Sequence, residues 1–295
     1  MYRRYLELLG HRPKEVQSLE QIPCMPIQFF KSHPVRPYER AASRVFTSSG
    51  TSGPLTSRHE VYDLDFYHRV TRRGFERIYG PLEDQVVLAL LPSYLERDGS
   101  SLVEMARFFI SRSAQPESGF YLDQYPDLAA LLGRMSGEGR PILLLGVTFA
   151  LLELAERFPQ NLGSTVVMET GGMKGRRREM VREEVHTQLC QSLGVEAIHS
   201  EYGMTELFSQ AYSRGEGHFR TPPWMRVMIR RTDDPFSLAR PGKTGAINVM
   251  DLANVESCAF LQTDDLGRAH PSGTFEVMGR LDQSDVRGCN LLVVT

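Results

Sequence analysis

Lysine is scarce in this sequence of 295 residues. Of 34 basic residues only four are lysines, so the other 30 are arginines. The lysines are Lys14, Lys31, Lys174 and Lys243. Few side chains can therefore supply a catalytic amine. The basic residues nearly balance 36 acidic ones, and the net charge of −2 gives no general reason to expect nucleic-acid binding, which favours a strongly basic surface.

Cysteines and long hydrophobic runs are also few. The four cysteines, Cys24, Cys190, Cys258 and Cys289, lie far apart without a Cys-x-x-Cys pair, which argues against a zinc site and a disulfide framework. The longest apolar run, 142–152, is shorter than the ~20 residues of a membrane-spanning helix. The N-terminus lacks the apolar core of a signal peptide. We therefore expect a cytoplasmic protein.

What is present is typical of a soluble α/β protein. Hydrophobic residues make up 41% and charged residues 24% of the chain, close to the globular average. Continuous apolar strands alternate with helical patterns, which predicts a parallel sheet covered on both faces. After residue 220, short strands between turns predict an antiparallel β-rich part. The predicted helices are 62–79, 102–110, 149–158 and 176–193, and the predicted strands of the α/β part are 86–91, 142–145, 165–168 and 195–198.

Three parts follow from this organisation. Residues 1–40 form a helical or extended segment that packs on the body. Residues 41–220 form the α/β body, and residues 221–295 form the β-rich part.

The first cluster that could carry chemistry is a run of small hydroxyl residues and glycines at 47–54. Such a loop exposes backbone N–H groups and hydroxyls to phosphate oxygens. No lysine follows its last glycine, so it is not a Walker loop. Taken alone, the run is also compatible with a flexible linker.

Two more clusters follow predicted strands, where open α/β sheets bind ligands. Gly171 and Gly172 would let a flat ring approach the backbone, or they form an ordinary turn. In segment 199–206, Glu206 suits Mg²⁺, Thr205 could donate to a phosphate, and Tyr202 could stack on a base. The alternatives are a helix N-terminus for Glu206 and a core position for Tyr202.

The fourth cluster pairs Asp264 and Asp265 with a later Arg280. A carboxylate can accept both hydroxyls of a ribose, and a nearby arginine can reach ribose or phosphate. Turn chemistry alone also explains an Asp-Asp-x-Gly sequence.

In this order, the four clusters resemble the motifs of the adenylate-forming superfamily of acyl-CoA synthetases and luciferases. The matching segments are 48–53 (phosphate loop), 202–206 (adenylate motif), 263–265 (ribose motif), and 279–282 with 287–288 (hinge motif). Segments 22–31, 91–102 and 287–290 are similar to its LuxE-like acyl-protein synthetase branch. The resemblance implies the superfamily's α/β N-terminal-domain architecture, without the usual separate C-terminal lobe.

The resemblance also implies a two-step reaction with ATP and Mg²⁺. A carboxylic acid, expected to be a fatty acid, would form acyl-AMP and pyrophosphate, and the acyl group would then move to a thiol. Thr205 would contact the α-phosphate, Glu206 would hold Mg²⁺, and Cys289 would accept the acyl group. The implied nucleotide-binding residues are Ser49, Gly50, Thr51, Ser52, Gly53, Gly171, Gly172, Tyr202, Gly203, Asp265 and Arg280.

Other positions keep two interpretations. Ser100 and Ser101 could line the acyl site or belong to a turn and helix cap. His199 could contact substrate, although a local packing or hydrogen-bond role is favoured.

The sequence departs from the superfamily pattern in its lysines. Typical members continue beyond the hinge motif into a lobe that supplies a catalytic lysine, and here no lysine follows Lys243. Arginine and Mg²⁺ would suffice, or Lys31 or Lys174 would substitute, or activity would be weak. Relatives are also expected to carry a further helical stretch before Met1.

Three functions remain open at this level. The chain acylates its own Cys289, it transfers the acyl group to coenzyme A or a carrier protein, or it is a non-catalytic acyl- or nucleotide-binding module. In each case a protein partner that accepts or reduces the acyl group is compatible with the resemblance, and the oligomeric state is open.

Overall fold

The fold is described from a computed structural model. It covers residues 1–48, 56–92, 99–171 and 180–281. Within these ranges no helix has the length and apolar character that crossing a bilayer requires.

Seven α-helices and fourteen strands are present in the described ranges. The helices are α1 (Tyr2–Leu8), α2 (Phe29–Ser32), α3 (Leu64–Tyr79), α4 (Ser101–Arg112), α5 (Tyr125–Gly137), α6 (Thr148–Arg157) and α7 (Arg182–Leu193). The strands are β1 (Met25–Pro26), β2 (Arg44–Thr47), β3 (Arg58–Val61), β4 (Val86–Leu90), β5 (Gly119–Tyr121), β6 (Ile142–Val147), β7 (Val166–Thr170), β8 (His199–Tyr202), β9 (Ala211–Ser213), β10 (Phe219–Arg220), β11 (Met225–Arg230), β12 (Gly245–Asp251), β13 (Phe260–Ala269) and β14 (Phe275–Arg280).

Twelve of these strands form one mixed sheet, in the order β11-β12-β13-β14-β10-β9-β8-β7-β6-β4-β5, with β1 paired to β13. The strands β5, β4, β6, β7 and β8 run parallel. From β8 onward each neighbour in that order is antiparallel. The predicted change from parallel to antiparallel structure occurs within a single sheet, but it falls between β8 and β9, before the predicted position at residue 220.

Burial explains why the parallel strands form where the apolar runs predict them. Every residue of β4 and β6 is buried, as expected for strands covered by helices on both faces. Two of the helices begin at polar caps: Asp63 accepts a hydrogen bond from Phe66 N at the start of α3, and Ser100 accepts one from Val103 N at the start of α4. These caps satisfy backbone donors that lack a partner within the helix.

The N-terminal segment packs on the β-rich part through β1. Met25 and Pro26 pair in parallel with Leu261 and Gln262 of β13. Beyond β1, the ring of Phe30 in α2 packs edge-on against His59 of β3, with ring centroids 5.3 Å apart. Residues 25–30 therefore run from β13 to the small β2-β3 sheet.

Two predicted elements differ from the structure. The strand predicted at 195–198 is wrong: Val195 forms only an isolated bridge with Gly163, and β8 begins at His199, where the pairing with β7 starts. The apolar residues Val195 and Ile198 are buried without forming a strand, whereas the residues of β8 itself are mostly polar. The apolar pattern therefore predicts the strand at the wrong position. The long helix predicted from 176 begins at Arg182, and residues 172–179 lie outside the described ranges.

The turn predicted as an alternative for Asp264 and Asp265 is also wrong. Both residues lie inside β13, the longest strand described. Their backbone is therefore extended and paired. A turn does not account for the two carboxylates.

Candidate active site

The candidate site lies where three parallel strands end at one edge of the large sheet. β6 ends at Val147, β7 at Thr170 and β8 at Tyr202, and β7 pairs with both neighbours. Ligands of open α/β sheets bind beyond such carboxyl ends. Gly171 follows β7 with a φ of 77°, a conformation that glycine adopts without steric cost. Gly171 and the start of the turn after β8 therefore lie at the same edge of the sheet.

Glu206 lies in the turn after β8 and is 6% exposed. Burial raises the pKa of its carboxyl, and a hydrogen bond from Ser57 and the positive charges of Lys31 and Arg280 act in the opposite direction. Ser57 belongs to the base of the predicted phosphate loop, where its backbone N–H donates to Ser48 Oγ at 2.9 Å. The loop base and the acidic end of the adenylate motif are thus in contact.

Asp265 and Arg280 are direct cross-strand partners on β13 and β14. Arg280 Nε lies 3.7 Å from Asp265 Oδ1, and Tyr202 Oη donates to Asp265 Oδ2 at 2.8 Å. Burial raises the pKa of Asp265, while the hydrogen bond from Tyr202 and the charge of Arg280 oppose that rise. The structure therefore brings together three residues of three predicted motifs.

The ring of Tyr202 is in the core, as the structural alternative for this residue predicts. It packs edge-on against Phe219 and Phe275, with centroids 6.0 Å and 5.6 Å away. Its hydroxyl, by contrast, reaches the ribose-motif carboxylate. Stacking of Tyr202 on adenine stays a prediction.

A buried polar network supports the turn that carries Thr205 and Glu206. His59 Nδ1 lies 3.0 Å from the carbonyl oxygen of Thr205, and His59 Nε2 lies 2.8 Å from Ser257 Oγ. Burial lowers the pKa of His59 to about 4, so the ring is neutral. Because a carbonyl can only accept, Nδ1 carries the proton and Nε2 accepts from the serine hydroxyl.

Asp251 and Asn254 hold the next residues of the same turn. Asp251 accepts hydrogen bonds from the backbone N–H groups of Phe208 and Ser209. Asn254 Nδ2 donates to the carbonyl oxygen of Glu206 at 2.7 Å. The sequence gives no signal for Asp251 or Asn254, because no pattern marks a side chain whose partners are distant backbone groups.

Glu201 is a further carboxyl at the end of β8 that was assigned no role from the sequence. Thr170 Oγ1 donates to it, and Tyr212 of β9 is its cross-strand partner. Burial raises the pKa of Glu201 to about 7, against the hydrogen bond from Thr170. Gln210 Oε1 and Tyr212 Oη are buried and, among the described residues, have no hydrogen-bond partner. One face of β8 and β9 thus carries polar groups ready for a ligand or water.

The remaining predicted positions are less central. Gly203 directly follows β8, and a Cβ at this position would overlap the carboxylate of Glu201. Ser100 caps α4, as its structural alternative predicts, and the carbonyl of Ser101 accepts from Tyr67 Oη at 3.0 Å. His199 begins β8 and its Nδ1 lies 3.1 Å from Tyr79 Oη. This is the local contact favoured for His199, at the opposite end of β8 from Tyr202.

Several predicted residues lie outside the described ranges. They are Ser49, Gly50, Thr51, Ser52 and Gly53 of the phosphate loop, Gly172, Lys174 and Cys289. Their roles stay predictions.

The fold is that of the adenylate-forming enzymes. ATP-bound MatB from Rhodopseudomonas palustris superposes with a TM-score of 0.59 at 15% identity, over 82% of this chain and 49% of that one. O-succinylbenzoate coenzyme A synthetase (MenE) from Bacillus subtilis, in complex with AMP, gives 0.57 at 17%, over 83% and 51%. A luciferase-like enzyme from the mealworm Zophobas morio gives 0.53 at 15%, over 89% and 62%. This chain spans about half the length of the first two.

Within that fold, the sequence identifies a narrower group. The family model of the LuxE acyl-protein synthetases matches residues 121–295. The chain belongs to this family, as its motifs predict. A comparison with curated proteins found no match.

The raised pKa of Glu201 predicts a pH-dependent stability. Because the folded-state pKa of about 7 lies above the ordinary 4.5, the protonated carboxyl stabilises the fold at low pH, and this contribution is lost as the pH rises from about 4.5 to about 7. Glu201→Gln is neutral at every pH. We expect its advantage in unfolding free energy over the unmodified protein to be about 2–3 kcal/mol larger at pH 8 than at pH 5.

Urea unfolding at both pH values measures this difference. Glu183→Gln, an exposed carboxyl at the start of α7, is the matched control and should change little at either pH. Equal effects of the Glu201 substitution at pH 5 and pH 8 would contradict a carboxyl that titrates between them.

Proposed function

We propose that this chain activates a carboxylic acid with ATP and passes the acyl group to a thiol. In the first step a carboxylate oxygen attacks the α-phosphorus of ATP, the bond to the β-phosphate breaks, and pyrophosphate leaves. The observation that carries this proposal is the meeting of the loop base, Glu206, and the Asp265–Arg280 pair at one sheet edge. Family membership and the shared fold support it.

The carboxylate of Asp265 is suited to ribose hydroxyls. It is buried and held in place by Tyr202, so a ligand finds it already oriented. Arg280, whose side chain is 61% exposed, reaches from the neighbouring strand towards the same position. A ribose between them would replace water at a carboxylate that burial otherwise makes costly to ionise.

Glu206 fits the role of a Mg²⁺ ligand. Hard cations such as Mg²⁺ prefer one or two carboxylates together with phosphate oxygens, and burial leaves the negative charge of Glu206 only partly compensated. When bound, the ion would neutralise phosphate charge. The donors of the loop base, among them the Ser57 hydroxyl, would lie beside the leaving pyrophosphate.

Lys31 is the lysine that we propose to act on the phosphates. Gln28, at the start of α2, donates to Asp264 next to the ribose-motif carboxylate. Lys31 lies three residues further, on the same side of the helical turn, and its charge favours ionised Glu206. An ammonium at this position can stabilise the charge that builds on phosphate oxygens in the transition state.

Cys289 is proposed as the acyl acceptor. Acyl-AMP is a mixed anhydride, so a thiolate can attack its carbonyl carbon, form a thioester and release AMP. Burial raises the pKa of Cys24 and of Cys258 to about 12 and also raises that of Cys190, which makes these three thiols poor nucleophiles. Cys289 is the remaining cysteine, and Arg287, two residues earlier, would favour its thiolate.

Carboxylate-dependent exchange of label between pyrophosphate and ATP tests adenylation. We expect exchange with one class within a panel of short, medium and long fatty acids and aryl acids, because the acyl pocket selects the acid. Glu206→Gln, a neutral isostere, should lower exchange by about 100-fold or more, as loss of a metal ligand does. The exposed Glu183→Gln serves as control.

If the folded protein shows no exchange with any acid of the panel, this result would contradict the proposed enzymatic activity. It would favour a non-catalytic binding module. Full exchange activity of Glu206→Gln would exclude a role for Glu206 as a metal ligand in the reaction.

The role of Lys31 is tested separately. Lys31→Met keeps most of the aliphatic stem but loses the charge, so exchange should fall by about 10- to 100-fold, and Lys31→Arg should recover part of it. Lys14→Met is the matched control, because Lys14 is exposed in a short helical turn near the N-terminus. Equal rates for the two methionine variants would exclude Lys31 from the reaction.

Intact mass after turnover identifies the acceptor. We expect one acyl adduct, released by hydroxylamine as a thioester, that is absent in Cys289→Ser and retained in Cys190→Ser. Exchange activity should survive in both variants, since the thiol acts only in the second step. An unmodified protein with active exchange would instead point to coenzyme A or a carrier protein as acceptor.

A further inference from the structure

A second cluster of ligand-type side chains lies away from the candidate active site. His218 immediately precedes β10, His270 immediately follows β13, and Glu276 is the second residue of β14. Phe275 pairs with Phe219 on one side and with Ala269 on the other. This register brings the two histidines to either side of β14, and one ligand atom from each of the three side chains lies within 4.8 Å of the others.

The three side chains do not use all of their hydrogen-bonding atoms on one another. His218 Nε2 lies 3.6 Å from Glu276 Oε1, and His270 Nε2 lies 3.1 Å from Oε2. His270 Nε2 is nevertheless buried without an aligned hydrogen-bond partner among the described residues. A buried ring nitrogen in this condition needs an explanation, and a metal ion in place of the missing partner supplies one.

The positive charge of Arg268 would oppose a cation at this cluster, but Arg268 occupies only one of the two carboxylate oxygens of Glu276. Its Nε and Nη2 both donate to the same carboxylate oxygen, Glu276 Oε2, at 2.9 Å and 2.7 Å. The other oxygen, Oε1, faces His218. A metal-ligating carboxylate is usually fixed by a hydrogen bond to its second oxygen, and Arg268 is placed to provide that bond.

We propose that His218, His270 and Glu276 bind a borderline transition-metal ion, with Zn²⁺ as the best match. Two imidazole nitrogens and one carboxylate oxygen are a ligand set of zinc sites, with water in the fourth position. The side chain of His218 is 43% exposed, so an ion and its water reach the site from solvent. The four-residue step from Glu276 to Arg280 along β14 spans about 13 Å.

The ion would tie the ends of β10, β13 and β14 together. Two of these strands carry Asp265 and Arg280, so the metal stabilises the strands that present the nucleotide-facing pair without touching it. This role differs from that of Mg²⁺ at Glu206, which prefers oxygen ligands.

Thermal unfolding with and without Zn²⁺ tests the proposal. The protein is freed of metal with a chelator and studied without nucleotide in a Cys289→Ser background, so that this thiol cannot bind the ion. We expect binding of one Zn²⁺ by titration and a rise in Tm of about 5 °C at saturation. Co²⁺ should give the visible absorption of a four-coordinate nitrogen and oxygen site.

His270→Ala and Glu276→Gln should each abolish the metal-dependent rise, whereas His33→Ala, which removes an exposed histidine elsewhere, should retain it. Each variant is compared with itself, so a change in its metal-free stability does not affect the result. An equal rise in all variants, or no rise in the parent, would overturn the site and leave the cluster as an ion-pair network around Arg268. The proposed acyl activation is independent of either outcome.

Discussion

The candidate active site depends on hydrogen bonds that fix the turn after β8. Thr205 and Glu206 lie in a turn that leads into the buried residues 206–210, and buried backbone groups need partners. His59 supplies a donor to the carbonyl of Thr205, and Asn254 supplies one to the carbonyl of Glu206. Asp251 accepts from the N–H groups of Phe208 and Ser209. These three side chains come from β3, from β12 and from the segment after β12. The shape of the motif is therefore set by tertiary structure, and its own sequence provides only the functional groups.

Buried acids give this crevice its chemical character. Burial raises the pKa of Glu201, Glu206 and Asp265, which means that each carboxylate is poorly solvated where it stands. Hydroxyl donors and nearby arginine or lysine charges offset only part of that cost. Under the proposed function, ATP with its Mg²⁺ would compensate the rest of that cost. An unfavourable free energy of ionisation at buried carboxyl groups is expected where a fold orients side chains for a ligand.

The sequence predicts the central parallel strands β4, β6 and β7, but it does not predict the edge strand β5 or the site strand β8. The apolar runs of β4, β6 and β7 identify them directly, because both of their faces are covered. β8 escapes this signal, since His199, Ser200 and Glu201 are polar and their burial depends on partners supplied by β7, β9 and α3. The β2-β3 pair and the role of His59 escape it as well: the ring touches Thr205 and Ser257, residues 146 and 198 positions away. The ordered motifs predict which residues belong to the site, and the contacts between them require the fold.

The position of β8 in the sheet explains how motifs so far apart in sequence meet. β8 pairs in parallel with β7 and antiparallel with β9, so the chain after Tyr202 turns back along the sheet instead of crossing over through a helix. That return keeps Thr205 and Glu206 at the edge, beside the end of β7. On its other side the antiparallel strands lead to β13 and β14, which deliver Asp265 and Arg280 to the same edge. A single change of strand direction thus brings the adenylate motif, on the parallel side, next to Asp265 and Arg280, on the antiparallel side.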